Sequence, residues 1–70
     1  MASDERSRLR LMMNHWIEHN REHCREFEEW AEKARRMGEE DVAGEIVRAV
    51  RVMEDAGGIL EGSVKKLEGV

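Results

Sequence analysis

Arg35-Arg36-Met37-Gly38-Glu39-Glu40-Asp41 is the stretch on which the fold turns. The two arginines suit the negative end of a helix dipole, and Gly38 supplies the left-handed residue that commonly closes a helix. Three acidic residues follow at once and suit the positive end of a second helix, which therefore starts near Glu39 to Asp41. A stop and a start this close leave a connection of roughly two to four residues, so the two helices must fold back antiparallel as a hairpin.

Outward from the turn, both arms carry the pattern such a hairpin needs. Before it, Leu9, Met13, Trp16, Asn20, His23, Phe27, Trp30, Ala34 and Met37 follow at alternating spacings of four and three, the seam of a heptad-packed helix. After it, Val42, Ile46, Ala49, Met53, Ala56, Leu60, Ser63 and Leu67 do the same. The spacing predicts one all-α domain over residues 1–70, with helices over about 4–37 and 40–68. Ser3 is the expected N-cap of the first helix, with Asp4 and Glu5 in its first turn. Gly57-Gly58 costs about 1 kcal/mol per glycine relative to alanine inside a helix. The register passes through the pair unchanged, so the second helix is read as continuous, a break with a short third helix being the alternative. It also carries Val47, Val50 and Val64 on one flank and Val52 and Ile59 on the other, more apolar surface than one facing helix covers. Self-association is therefore expected, most simply a homodimer in which two hairpins form a four-helix bundle whose core takes Trp16, Phe27 and Trp30.

Composition narrows the function. Of 70 residues, 40% are charged and none is proline, as in long exposed helices. Residues 1–37 carry eight Lys/Arg against eight Asp/Glu, and residues 38–70 carry four against eight, which gives the net charge of -4. Neither half has the basic face that nucleic-acid binding requires, and the short Arg6, Arg8, Arg10 patch is balanced by Asp4 and Glu5. No run of 18 apolar residues is present, and the polar opening Met1-Ala2-Ser3-Asp4-Glu5-Arg6 has no signal-like segment, so no membrane association and a cytoplasmic location are expected. Two helices offer little wall for a water-excluding pocket, so no enzymatic activity is expected. The one cysteine, Cys24, cannot form an internal disulfide and reads first as a buried inert thiol, with an intersubunit contact or a metal ligand as alternatives.

One segment carries chemistry. Residues 15 to 26 read His-Trp-Ile-Glu, His-Asn-Arg-Glu, His-Cys-Arg-Glu, a four-residue unit repeated three times. Each step of four advances about 40° around a helix, so the line starts on the solvent side at His15, reaches the seam edge at His19 and enters the seam at His23. Imidazoles four apart can chelate Ni, Zn, Co or Cu, with carboxylates completing the shell. The candidate ligands are His15, His19, His23, Glu18, Glu22, Glu26 and, from the second helix, Glu54. The competing reading is a plain oligomerisation or protein-interaction module, with an unidentified protein partner open to it, in which the His/Glu ladder only stabilises the helix. His15-Trp16-Ile17-Glu18-His19 lacks the glutamate that follows the first histidine in helical zinc proteases, and the His-then-Glu order reverses the di-iron bundle signature.

Counting back from the turn at about 1.5 Å per residue on both arms sets His23 near Glu54, and Trp16, His19 and Asn20 near Leu60, Gly58 and Gly57. The glycines then make room for the indole or for an ion, and Asp55 and Glu61 join Glu54 as possible oxygen donors. Asn20 reads as a register-fixing core amide before it reads as a ligand. The methionines, Met12-Met13 included, read mainly as core packing.

The stretch Leu11 to Ala31, with His15-Trp16-Ile17-Glu18-His19-Asn20, His23, Phe27, Trp30 and Ala31, resembles small His/Trp-rich helical-hairpin domains of unknown function from anaerobic prokaryotes. The resemblance implies a stand-alone small hairpin and carries no activity with it.

Overall fold

Helix α1 runs over Ala2–Arg36 and helix α2 over Glu40–Leu67. This is a computed structural model that describes residues 2–69, with side chains from Asp4 to Gly69. The result is an all-α two-helix hairpin, 55 × 15 × 13 Å.

The turn forms as the sequence dictates. Gly38 takes φ +85°. That conformation lets the Glu39 amide reach back to the Ala34 carbonyl at 2.9 Å and the Gly38 amide to that of Arg35 at 3.0 Å. These two bonds satisfy carbonyls that the helix end would otherwise leave unpaired. Glu40 and Asp41 then occupy the first turn of α2, and Arg35 lies 3.7 Å from Glu40 across the bend. At the other end α1 already begins at Ala2, and the side chain of Ser3, the expected N-cap, lies outside the described residues. Helix α2 passes through Gly57-Gly58 without a break.

The seam differs from the expected one by one residue on each helix. Positions 13, 20 and 34 face inward as read, but the alternate positions are Ile17, Cys24 and Ala31, all buried, in place of Trp16, His23 and Trp30. On α2 the half-buried Ile46, Met53, Leu60, Ser63 and Leu67 belong to the seam as expected, joined by Ala43, Val50, Gly57 and Val64, whereas Val42, Ala49 and Ala56 are exposed. Trp16, Phe27, Trp30 and Met37 remain 45%, 37%, 57% and 66% exposed, and Leu9 and Val42 are exposed as well.

Helix spacing explains the shift. Helices approach as closely as their contact residues allow, and Cys24, Ala31, Ala34, Ala43 and Gly57 make a thin contact. Indoles at those positions would pry the pair apart and open voids beside them. Small residues therefore turn inward, and the aromatics lie along one flank. Met13, Ile17 and Val64, with Leu60 and Leu67 packed on them, form the apolar core toward the end remote from the turn.

The register is fixed near the middle by one polar contact. The Asn20 side-chain amide donates to the Met53 carbonyl at 2.7 Å. Directly above it, a Cβ added to Gly57 would lie 3.1 Å from Asn20 Nδ2, whereas one on Gly58 would meet nothing within 4 Å. Gly57 thus makes room for an amide, not for an indole or an ion. Asn20 acts as the register-fixing residue that its place in an apolar stripe suggests.

Candidate functional site

All three histidines project from consecutive turns of α1 into one groove of the hairpin, where Trp16, Ala56 and Leu60 are also found. Exposure falls along the line, from His15 and His19 in solvent to the half-buried His23. His23 stops at the groove and does not enter the seam, because Cys24 takes the inward position.

The imidazoles make a graded set of contacts. The His15 and His19 rings stack with centroids 5.8 Å apart. His19 and His23 meet edge to face at 4.4 Å, which brings their Nε2 atoms to 2.9 Å. On its other side the His23 Nδ1 lies 3.3 Å from Glu26 Oε1. One imidazole of the Nε2 pair donates to the other, and both nitrogens give up that proton when an ion takes its place. Orientation of an imidazole by a carboxylate behind it is the arrangement that metal-ligating histidines usually have. The spacing also suits a shared ion: two nitrogens each about 2.05 Å from a metal are ~2.9 Å apart at a right angle and ~3.3 Å apart at the tetrahedral angle.

The other candidate ligands go elsewhere. Glu18 lies 3.9 Å from Arg21, and Arg21 reaches across to Glu61 on α2. Glu22 is exposed. Glu54 lines the groove on the opposite side of the hairpin with Cys24 and Glu28, so it does not meet His23. Among the described residues no group of three or more His, Cys, Asp or Glu side chains is placed to hold a metal ion. The repeat thus yields one imidazole pair with a carboxylate behind it, and no continuous His/Glu ladder.

Cys24 is a free, buried thiol. Burial, followed by the nearby Glu54 and Glu28 carboxylates, pushes its pKa up. A thiol so placed is a poor nucleophile and a poor ligand.

The sequence reading missed the face in which the pair is set. Trp16 flanks the histidines, Phe27 lies 6.3 Å from His23 between ring centroids, and Lys33 lies over the Trp30 ring at 4.3 Å. Helical spacing puts Val52 and Ile59 beside Ala56 on the same side of α2, and both are about two-thirds exposed. The available signal was the pairing of small with large residues at adjacent positions, Trp16-Ile17, His23-Cys24 and Trp30-Ala31.

A slim helical hairpin with an open apolar face and an imidazole pair at its middle defines a small all-α hairpin domain. Residues 9–67, which take in most of both helices, match the family described as Domain of unknown function (DUF8180), and the chain belongs to that family. No curated protein and no solved structure matches it. No helix among the described residues is long and apolar enough to cross a membrane.

Proposed function

We propose that this protein is a non-catalytic helical module that pairs with a second copy as a four-helix bundle and binds a divalent transition metal, Ni, Zn, Co or Cu, through His19 and His23. The observation that carries the reading is the 2.9 Å approach of their Nε2 atoms, with Glu26 oriented behind His23. Pairing is supported by the apolar face. Leu9, Met12, Trp16, Phe27, Trp30 and Val42 are each between one-third and three-fifths exposed, which amounts to roughly 600 Å² of unpartnered apolar surface per chain. Two such faces together reach about 1,200 Å², the lower end of the range for specific interfaces. His15 stacks on His19 and walls the pair.

The test is a titration of untagged protein with each metal, read by calorimetry, beside the double variant His19→Ala plus His23→Ala. Loss of tight binding with helical content retained is the expected result. Equal affinity in the variant overturns the ligand assignment. The alternative, an interaction module without metal, is favoured by the lack of a three-residue ligand group within one described chain. It requires that no ion bind the wild-type protein.

A further inference from the structure

We infer that the His19/His23 pair is half of a metal site and that a second copy of this chain supplies the other half. This inference rests on the metal-binding dimer proposed above and adds where the ion sits and why one chain does not complete its shell.

The donor count comes first. One chain offers two imidazole nitrogens 2.9 Å apart, and no third His, Cys, Asp or Glu joins them among the described residues. Transition-metal sites in proteins use three or four ligands. The missing donors must come from outside the chain, and the pair faces outward, in the groove that Trp16, Ala56 and Leu60 border.

The order of residues along that face then points to a second copy. Outward from the level of Arg21, midway between His19 and His23, large side chains stand at matching distances, Met12 with Trp30, His15 with Phe27 and His19 with His23, while Trp16 matches Glu26. A twofold axis crossing α1 at that level, perpendicular to the helices, sets two α1 helices antiparallel and face to face. His19 then opposes the partner's His23, Met12 opposes the partner's Trp30, and Trp16 falls between the partner's His23 and the partner's Phe27. Four imidazole nitrogens converge at the centre, flanked on both sides by apolar and aromatic side chains.

Helix α2 is compatible with the same axis. Asn20 against Gly57 fixes the register of the hairpin, and this puts Ala56 at the level of Arg21. Ala49, Ala56 and Ser63, seven apart, are small residues along this side of α2, and small residues let facing helices approach closely. The central part of the face, His15 to His23 with Ala49 to Ser63, contains no Lys or Arg other than Arg21 and Arg51. Arg21 is turned to Glu61 on the far side of the hairpin, so its charge is kept away from the site.

Full-length protein is titrated with Zn(II), and with Co(II) as a spectroscopic probe, while native mass spectrometry counts ions and chains together. The expected complex holds one ion per two chains. Metal strengthens the dimer at least tenfold, since an ion bound only between copies must favour the paired state. His19→Ala and His23→Ala each abolish the one-ion dimer. Ala56→Arg leaves both histidines in place but holds the copies apart, and it lowers Zn(II) affinity at least tenfold with helical content unchanged. One ion per chain, or full Zn(II) affinity in monomeric Ala56→Arg, overturns the shared site and leaves metal binding standing. No ion bound at any stoichiometry overturns the functional reading itself.

Discussion

Gly57→Ala tests the packing argument most directly, because the sign of its effect depends on a single contact. In a solvent-facing helical position, glycine to alanine stabilises by about 1 kcal/mol. At Gly57 the new methyl would lie 3.1 Å from Asn20 Nδ2, tighter than a relaxed contact allows. Asn20 cannot swing aside freely, since its amide is held by the Met53 carbonyl at 2.7 Å. Displacing it leaves the part-buried amide and its carbonyl acceptor unpaired, a cost of about 1–2 kcal/mol, so the substitution is expected to be neutral or destabilising by up to about 1 kcal/mol. Gly58→Ala is the internal control, with open space around its Cβ and the full gain of about 1 kcal/mol expected. The two variants should therefore differ by about 1–2 kcal/mol, or about 5–10 °C in Tm for a domain of this size. Thermal unfolding followed by circular dichroism at one fixed protein concentration reads the difference. In an Asn20→Ala background the obstacle is gone, and Gly57→Ala should recover the stabilisation that Gly58→Ala shows, a coupling of about 1–2 kcal/mol. If both glycine variants stabilise equally in the Asn20 protein, the account of the Asn20–Gly57 contact is refuted.

Three further outcomes follow from the same structure. Gly38→Ala meets no atom within 4 Å but sits at φ +85°, so it should cost about 1–2 kcal/mol from backbone strain alone, measured by urea unfolding; an unchanged midpoint would mean that the turn does not need the left-handed residue. Ala43→Leu overfills a position with 0% exposure and should destabilise by about 1–3 kcal/mol; a stabilised variant would show that the seam has room to spare. The folded state raises the Cys24 pKa, through burial first and then Glu54 and Glu28, so its contribution to stability is full while the unfolded thiol is protonated and is lost as pH rises through the folded value. Native protein should thus alkylate far more slowly at mildly alkaline pH than urea-unfolded protein. Equal rates would contradict the burial of the thiol.

The fold was legible in the sequence because its determinants are local. Gly38 between a basic and an acidic helix end requires a left-handed turn whatever surrounds it, and the unbroken register from Ala56 to Leu60 carried α2 through two glycines. The register of the hairpin was legible for the same reason: counting back from the turn placed Asn20 against Gly57, where it is found. Which side of each stripe turns inward was not legible. Positions 16 and 17, 23 and 24, and 30 and 31 each offer two candidates about 100° apart on the helix, and hydrophobicity alone favours the tryptophans. Only the mutual approach of two helices decides between them, because interhelical distance is a property of the pair. It chose Ile17, Cys24 and Ala31.

The site divides along the same line. Spacing alone put the histidines on one line of α1, since four residues are slightly more than one turn. The meeting of His19 and His23 through their Nε2 atoms, the Glu26 carboxylate behind His23 and the removal of Glu54 to the opposite groove depend on rotamers and on the rotation of α1 against α2. Sequence determined the helices, the turn and the line of imidazoles, all set by interactions within a few residues. Tertiary packing decided which face is buried, and in burying the small residues it left the aromatic face and its histidine pair open.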